Sequence, residues 1–263
     1  MRVAKNNKEA KKEIQKQKDE APRETPVEFM ASLAVVLVTG LFIITFIMQA
    51  FAIPSSSMEN TLLIGDHVFV NRVQFSPRSR WLGPLVPYRE IHRGDIVVFL
   101  SPAEPGLYVV KRIIGIPGDH IHLRDGVVYR NGEQLVEPYV IHSSGDYNPY
   151  RDQFPAVPPD PNSEYAERET KLQSYVQGDD LVIPPDSYFG MGDNRDVSLD
   201  SRYWGFIPQE NVIGRPMLIY WSFETPAGQY LETGISERIA IVVHKIIHFF
   251  DQTRWQRTLR VVR

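Results

Sequence analysis

Residues 107–116 read LYVVKRIIGI, a run of β-branched and aliphatic residues that contains two adjacent cations, Lys111 and Arg112. Successive side chains of a strand point to opposite faces, so one of these cations must face packed, poorly hydrated surroundings if the strand lies inside a sheet. Burial disfavours a charged amine and lowers its pKa, so a buried Lys111 could accept a proton near neutral pH. At a sheet edge, both cations would instead reach water along their aliphatic stems.

Similar short runs lie on both sides of this segment. They are HVFVNRV (67–73), DIVVFL (95–100), HIHL (120–123), GVVYR (126–130) and MLIYWSF (217–223). Turn signals such as Asn131-Gly132 separate the runs, and few stretches have a helical period. The pattern predicts a mainly β fold with an antiparallel sheet. Residues 143–180 are polar and rich in proline, which predicts a partly irregular insertion within about 120–185.

The run from Phe29 to Ile53 contains 25 residues and no charge. As a helix it would extend roughly 37 Å, enough to cross a bilayer core of about 30 Å with some tilt. It is longer than the apolar stretch of a cleavable secretory signal, which has about 7 to 15 residues. The sequence therefore predicts a transmembrane anchor at 29–53.

The charges that flank this run predict its orientation. Residues 1–28 carry eight lysines or arginines, interleaved with acidic residues, whereas the twenty residues after Ile53 carry one, Arg72. By the positive-inside rule, residues 1–28 form a charged cytoplasmic tail and residues 54–263 are exported.

Composition excludes several classes of function. The chain has 263 residues, a net charge of −3 and no cysteine, so it has no disulfide framework, no thiol nucleophile and no global basic field for nucleic acid. His244 and His248 have the spacing of a zinc-binding helix, but Lys245 stands where the catalytic glutamate should be. We predict no metal site and no cofactor.

Two polar segments contain candidate functional groups. The first, AIPSSSMENTLLIGD (52–66), has three consecutive serines directly after the predicted anchor. A serine run at this place is often only a cap or a loop, but a nucleophile there would meet substrates held at the membrane. The second, GDNRDVSLDSRYWGFIP (192–208), is a charged loop that ends in aromatic residues. It would either form a surface ion-pair network or present functional groups from a fixed position.

Four motifs in order resemble the conserved boxes of bacterial type I signal peptidases, a family of serine/lysine dyad peptidases. They are Ile53-Pro54-Ser55-x-Ser57-Met58, then Gly94-Asp95-Ile96-Val97, then Val110-Lys111-Arg112 with Gly115-x-Pro117-Gly118-Asp119, and then Gly192-Asp193-Asn194-Arg195-Asp196 with Ser198-x-Asp200-Ser201-Arg202. The resemblance covers nearly everything from residue 29 onward. It implies a membrane-anchored catalytic domain, on the exported side of the bacterial inner membrane, that contacts lipid and removes signal peptides from preproteins.

The resemblance also implies roles for individual residues. Ser57 matches the nucleophile and Lys111 the general base, and the Ser55 hydroxyl with the Ser57 N–H matches the oxyanion hole. Ser198 matches a residue that hydrogen-bonds the lysine amine, and a pair formed by Asp200 and Arg202 matches a support of that loop. The family cleaves after small residues, as in Ala-x-Ala. The matching substrate-pocket residues are Phe51, Ile53, Met58 and Val110.

Three points stay open in the sequence. Asn60 stands where the family usually has proline. Residues 235–263 begin with an apolar run that is followed by four arginines, Arg254, Arg257, Arg260 and Arg263, so they would either lie on an anionic membrane surface or complete the core. A membrane-tethered domain that binds a partner without catalysis, or a peptidase specialised for a narrower client, would carry several of the same features.

Overall fold

The computed structural model describes residues 25–75, 88–226, 228–229 and 234–262. The predicted cytoplasmic tail lies outside the described residues up to residue 24, and Arg263 also lies outside them. The chain divides into two units, residues 1–44 and residues 45–263.

The first unit contains helix α1, Pro26–Phe42, which continues into a π-helical turn at Ile43–Ile47. Thr25 caps its start: the Thr25 hydroxyl accepts from the backbone N–H of Glu28, and the Glu28 carboxylate accepts from the N–H of Thr25. None of the residues of α1 is buried, and the 22 residues from Pro26 to Ile47 are long and apolar enough to cross a membrane.

The helix ends before the predicted end of the anchor at Ile53. Met48–Ala52 form strand β1, which pairs with β2, Asp66–Asn71, in antiparallel register. The prediction of one element over 29–53 is corrected here, because an apolar run without periodicity does not distinguish a helix from a buried strand. Ile53 itself is buried in the core of the second unit.

The second unit is built on two antiparallel sheets. The strands of the larger sheet, besides β1 and β2, are β3 (Ile96–Leu100), β4 (Tyr108–Gly115), β10 (Ser187–Met191), β11 (Ile207–Pro208), β12 (Val212–Ser222) and β13 (Arg260–Val261). Their order is β1-β2-β12-β3-β4-β10-β11, and β13 pairs with β12. The observed strands confirm the predicted mainly β, antiparallel fold.

The smaller sheet is formed by residues 120–182. Its strands are β5 (His120–Arg124), β6 (Val127–Arg130), β7 (Glu133–Gln134), β8 (Val176–Gln177) and β9 (Asp180–Val182), in the order β7-β6-β5-β9-β8. Two short helices, α2 (Pro149–Asp152) and α3 (Ala166–Gln173), lie in the proline-rich stretch between β7 and β8. Ile114 and Phe189 of the larger sheet pack with Ile121 and Leu181 of the smaller one, so the two sheets share a core.

Strand β4 lies inside the larger sheet, between β3 and β10. Both of its cations are buried: Lys111 is 2% exposed and Arg112 is 5% exposed. Burial of both is possible because Arg112 forms two hydrogen bonds with the carboxylate of Asp193, at 2.8 and 2.7 Å. The alternative of an edge strand with both side chains in water is therefore wrong.

A short helix, α4 (Ser201–Trp204), precedes β11. The C-terminal part contains helix α5, Ile235–Ile247, and a return segment, residues 253–262, that packs against the larger sheet. In the return segment, Arg257 Nη2 donates to Asp66 at 2.6 Å and to the carbonyl of Thr61 at 3.0 Å. Val262 is buried in the same cluster as Met58 and Leu62. The return segment thus completes the core, whereas α5 has no buried residue.

Candidate active site

The predicted nucleophile lies in a short turn after β1. A 3-10 helix, Ser56–Met58, follows Pro54, and the backbone N–H groups of Thr61 and Leu62 donate to the carbonyl of Met58. Met58 and Leu62 are fully buried, whereas Ser57 is only partly buried. The turn is therefore held by apolar anchors on the core side and leaves its serine accessible.

Lys111 reaches this turn from β4. Its Nζ atom donates a hydrogen bond to Oγ of Ser57 at 2.7 Å. Burial lowers the pKa of Lys111 to about 8, from an ordinary value of 10.5. The carboxylates of Asp200 and Asp193 oppose this shift, and the charge of Arg202 adds to it. A lysine with this pKa is neutral in about one molecule in ten at pH 7 and in about half at pH 8, and the neutral amine can accept a proton from the hydroxyl beside it.

Ser55 lies beside the same hydroxyl. Its Oγ is 3.3 Å from Oγ of Ser57, and its backbone is extended, with φ −129° and ψ 158°. The hydroxyl of Ser57 therefore lies within hydrogen-bonding distance of two other predicted groups, the Ser55 hydroxyl and the Lys111 amine.

An apolar cleft of about 210 Å³ opens next to Ser57 and Lys111. All four predicted pocket residues, Phe51, Ile53, Met58 and Val110, line it. Further lining residues are Ala52, Pro54, Ser55, Val98, Leu107, Tyr108 and Val109. The rings of Phe51 and Tyr108 meet edge to face, with centroids 5.1 Å apart, so the wall made by these two side chains is packed rather than loose.

The charged loop at 192–202 lies against the nucleophile turn. The backbone N–H of Asn194 donates to the carbonyl of Ser57 at 3.1 Å. A Cβ atom at Gly192 would lie 2.4 Å from that carbonyl oxygen and 2.2 Å from Oγ of Ser198, so this close approach requires glycine. Asp193, which binds Arg112, also accepts from the hydroxyl of Thr61 at 2.5 Å. These contacts fix the loop to both β4 and the turn.

Asp200 and Arg202 form a buried ion pair at the end of this loop. The carboxylate accepts from Nε and Nη2 of Arg202, each at 2.8 Å, and from the N–H of Gly192 at 3.1 Å. Burial raises the pKa of Asp200, but the charge and hydrogen bonds of Arg202, with help from Lys111 and Gly192, outweigh burial and keep the pKa below its usual value. The Asp200 carboxylate is therefore charged, and it forms with Arg202 the ion pair that the resemblance implies.

Ser198 is buried, and its Oγ has no hydrogen-bond partner among the described residues. The hydrogen bond to the Lys111 amine that the resemblance implies is thus not formed in this structure. The amine donates to Ser57 instead. Oγ of Ser198 lies in the closely packed region around Gly192, which leaves it enclosed but unpaired.

Two contacts around the loop have no counterpart in the motifs. Glu137, which follows β7, accepts from Nη2 of Arg195 at 2.6 Å and from the hydroxyl of Tyr139 at 2.8 Å. Asn60 adopts a φ of +85°, and its Nδ2 donates to the carbonyl of Tyr139 at 3.0 Å. Glu137 gave no sequence signal because it lies outside every motif, whereas Asn60 was visible in the sequence as a departure from the proline that the family usually has.

Comparison with known proteins identifies the family of this chain. Residues 26–221 match the family model described as signal peptidase, peptidase S26. The chain belongs to this signal peptidase family. The resemblance seen in the motifs is confirmed, and the chain is a peptidase.

Curated members of the signal peptidase family match most of this chain. Signal peptidase I of Pseudomonas aeruginosa is 32% identical over 216 residues, which cover 76% of this chain and 74% of that protein. The probable signal peptidase I-2 of Synechocystis is also 32% identical, over 80% of each chain. A solved signal peptidase I from Enterococcus faecalis has 32% identity and a TM-score of 0.34, and covers 48% of this chain and 97% of that one. The family assignment rests on the sequence matches.

Proposed function

We propose that this chain removes signal peptides from exported preproteins, with Ser57 as the nucleophile and neutral Lys111 as its general base. The observation that carries the proposal is the 2.7 Å contact between the buried amine of Lys111 and Oγ of Ser57. An amine whose pKa is lowered by burial can take the place that imidazole holds in a serine/histidine pair.

In the proposed reaction, neutral Lys111 takes the proton of the Ser57 hydroxyl while Oγ attacks the carbonyl carbon of the scissile bond. The tetrahedral oxyanion is stabilised by the Ser55 hydroxyl and the backbone N–H of Ser57. The lysine ammonium then gives its proton to the leaving amine, which breaks the peptide bond and leaves an acyl-enzyme. Water, deprotonated by the same lysine, releases the signal peptide and restores Ser57.

The proposed specificity is for small side chains before the cleaved bond, as in Ala-x-Ala. The cleft beside Ser57 is small, at about 210 Å³, and is lined mainly by apolar side chains. Phe51, Ile53, Met58 and Val110 limit its volume, so a larger substrate side chain is excluded by overlap rather than by charge. This proposal depends on the same cleft receiving the residues that precede the scissile bond.

The proposed location follows from α1 and the flanking charges. The helix from Pro26 to Ile47 crosses the inner membrane with residues 1–25 in the cytoplasm, and residues 48–263 lie on the exported side. A signal sequence held in the same bilayer would then present its cleavage site to a peptidase on that side.

Cleavage of a purified preprotein in detergent tests the proposal. Wild type, Ser57→Ala and Lys111→Ala are compared by the rate at which the mature protein appears. Both variants should lose at least about a thousandfold in rate, since each removes a reacting group. Ser56→Ala is the matched control, because it changes the neighbouring hydroxyl only. Wild-type rates for Ser57→Ala or Lys111→Ala would overturn the proposed dyad.

A further inference from the structure

Helix α5 has its apolar residues on the side that faces away from the protein. These residues are Ile235 (79% exposed), Ile239 (60%), Val242 (56%), Val243 (47%), Ile246 (71%) and Ile247 (68%). They recur at intervals of three and four residues, which places them along one stripe of the helix. A helix on a water-soluble surface has the reverse arrangement, with this stripe turned towards the core.

Two polar residues of α5, His244 and Lys245, contact aromatic rings at the end of β12. Lys245 is less exposed than its apolar neighbours, and its Nζ lies 5.6 Å from the ring centre of Trp221 and 5.9 Å from that of Phe223. His244 meets the ring of Phe223 edge on, at 6.2 Å. The half-buried side of the helix thus carries Ile241 and Lys245, whereas the residues of the apolar stripe stay about half or more exposed.

The apolar surface continues beyond the helix through three aromatic residues. Phe249 meets the rings of Phe250 and Trp255 edge on, at 5.2 and 5.6 Å, and Phe250 is 80% exposed. The indole N–H of Trp255 donates to the carbonyl of Phe250. Exposed tryptophan and phenylalanine beside an apolar stripe are typical of the water-to-lipid boundary of a bilayer. A continuous surface of this kind requires an apolar phase to cover it.

The charge of the segment indicates which apolar phase that is. Residues 235–262 contain five cations and two carboxylates; the cations are Arg238, Lys245, Arg254, Arg257 and Arg260, and the carboxylates are Glu237 and Asp251. Arg257 is paired with Asp66 and Lys245 lies against the rings of Trp221 and Phe223, so Arg238, Arg254 and Arg260 are the cations left to complement anionic lipid headgroups. The chain also carries a candidate span whose last residue, Ile47, is followed directly by β1. The unit that contains α5 is therefore confined to the neighbourhood of a bilayer.

We propose that α5 lies in the plane of the membrane surface, with its apolar stripe and the aromatic residues Phe249, Phe250 and Trp255 among the lipid acyl chains. The helix is a second, non-spanning contact with the bilayer. Lys245 remains on the protein side, where the rings of Trp221 and Phe223 cover it. The sequence left open whether residues 235–263 contact lipid or complete the core. In the proposed arrangement α5 contacts lipid and the return segment completes the core.

Site-specific labelling of the full-length chain tests the proposal, and the absence of cysteine makes the labelling unambiguous. Ile246→Cys carries an environment-sensitive fluorophore in nanodiscs of phosphatidylethanolamine and phosphatidylglycerol, each with one copy of the chain. Val136→Cys, at a residue 92% exposed after β7, is the control site. Circular dichroism melts of both variants check that they fold as wild type.

Lipids with a nitroxide on the acyl chain should quench the label at residue 246 by roughly half or more, because interfacial helices sit about 5–10 Å deep, and aqueous iodide should quench it little. The label at residue 136 should respond in the opposite way. Equal access of iodide to both labels would overturn the proposal. So would a label at 246 that is shielded from iodide but insensitive to the nitroxide lipid, since protein would then cover the stripe. The readout is a location, so its failure is distinguishable from failure of the proposed dyad.

Discussion

Lys111 and Ser57 are separated by 54 positions in the sequence, yet Nζ of the lysine and Oγ of the serine are 2.7 Å apart. The lysine is fixed in an interior strand and the serine in a turn whose flanking residues are buried. The pair is thus preorganised: little movement is needed before a proton passes between the two atoms. Because burial lowers the pKa of the amine, proton transfer between these two atoms should depend on pH.

The rate of cleavage should rise with pH through about 8 and then level off, because burial lowers the pKa of Lys111 to about 8 and only the neutral amine accepts a proton. The measurement is kcat/KM for a signal-peptide substrate across that range. Lys111→Arg should be inactive throughout, since a guanidinium stays protonated. A rate that still rises tenfold per pH unit near the pKa of a free lysine, about 10.4, would contradict a lowered pKa.

The same burial should affect stability. Below pH 8 the folded chain holds a charged Lys111 away from water, so Lys111→Met should raise the free energy of unfolding by up to roughly 3 kcal/mol. The advantage should shrink from pH 8 towards 10.5, because the folded wild type then carries a neutral amine while the unfolded chain still binds the proton. Denaturant unfolding at two pH values measures the difference in free energy of unfolding between Lys111→Met and wild type. Lys171→Met, at an exposed lysine, is the control. An advantage that grows with pH would have the wrong sign.

Asp200→Asn should destabilise the protein by about 3–5 kcal/mol, because it leaves the buried guanidinium of Arg202 without its charge partner. It should also move the acid limb of the activity profile to lower pH, since the Asp200 charge raises the pKa of Lys111. Thermal unfolding and the pH profile measure the two effects. The double variant Asp200→Asn/Arg202→Leu should recover part of the stability. If it does not, the unpaired charge of Arg202 is not the cause of the destabilisation in Asp200→Asn.

Val110→Ala should widen the substrates that the enzyme accepts. Val110 lines the cleft beside Ser57 and packs against the core cluster beneath it, so a smaller side chain leaves room for a larger substrate residue. The measurement is the ratio of kcat/KM for two peptides that differ only in having alanine or valine before the cleaved bond. We expect this ratio to fall roughly tenfold in Val110→Ala. Val136→Ala, far more exposed, should leave that ratio unchanged. An unchanged ratio in Val110→Ala would remove this residue from the specificity pocket.

Asn60→Pro should destabilise the chain although proline is the residue expected in the family. The φ of Asn60 is +85°, whereas proline fixes φ near −65°, and the hydrogen bond to the carbonyl of Tyr139 would also be lost. We expect a loss of well over about 1 kcal/mol and a lower rate, since Ser57 lies in the same turn. Asn60→Gly, which tolerates this φ, should cost much less. Equal unfolding midpoints for the two variants would argue against the backbone as the cause.

Runs of β-branched and aromatic residues between turn signals predicted the longer strands, and some of these strands also alternate between a packed and a less packed side. In β2, Val68 and Val70 are fully buried while the residues between them are partly exposed. The end of the membrane helix could not be predicted in the same way. Met48–Ala52 is uncharged like the helix before it, and pairing with β2, rather than local composition, makes this part a strand.

The candidate site was predictable as far as the motifs reached. They indicated Ser57, Lys111 and the cleft residues, but not that Arg112 is buried as deeply as the lysine beside it, because its partner Asp193 is 81 positions away. The contact of Glu137 with Arg195 was not predictable for the same reason. Such contacts depend on how the loop at 192–202 packs against β4 and against the segment after β7, and local sequence does not encode that packing.

The return segment makes the nucleophile turn dependent on a late part of the chain. Arg257 binds the carbonyl of Thr61, and Val262 packs with Met58 and Leu62, so the turn lacks these anchors until both residues have been synthesised. A chain that is still being synthesised therefore lacks these contacts around Ser57 until the return segment has been added. With Ser57 as the proposed nucleophile, we expect proteolytic activity to appear only after translation has passed Val262.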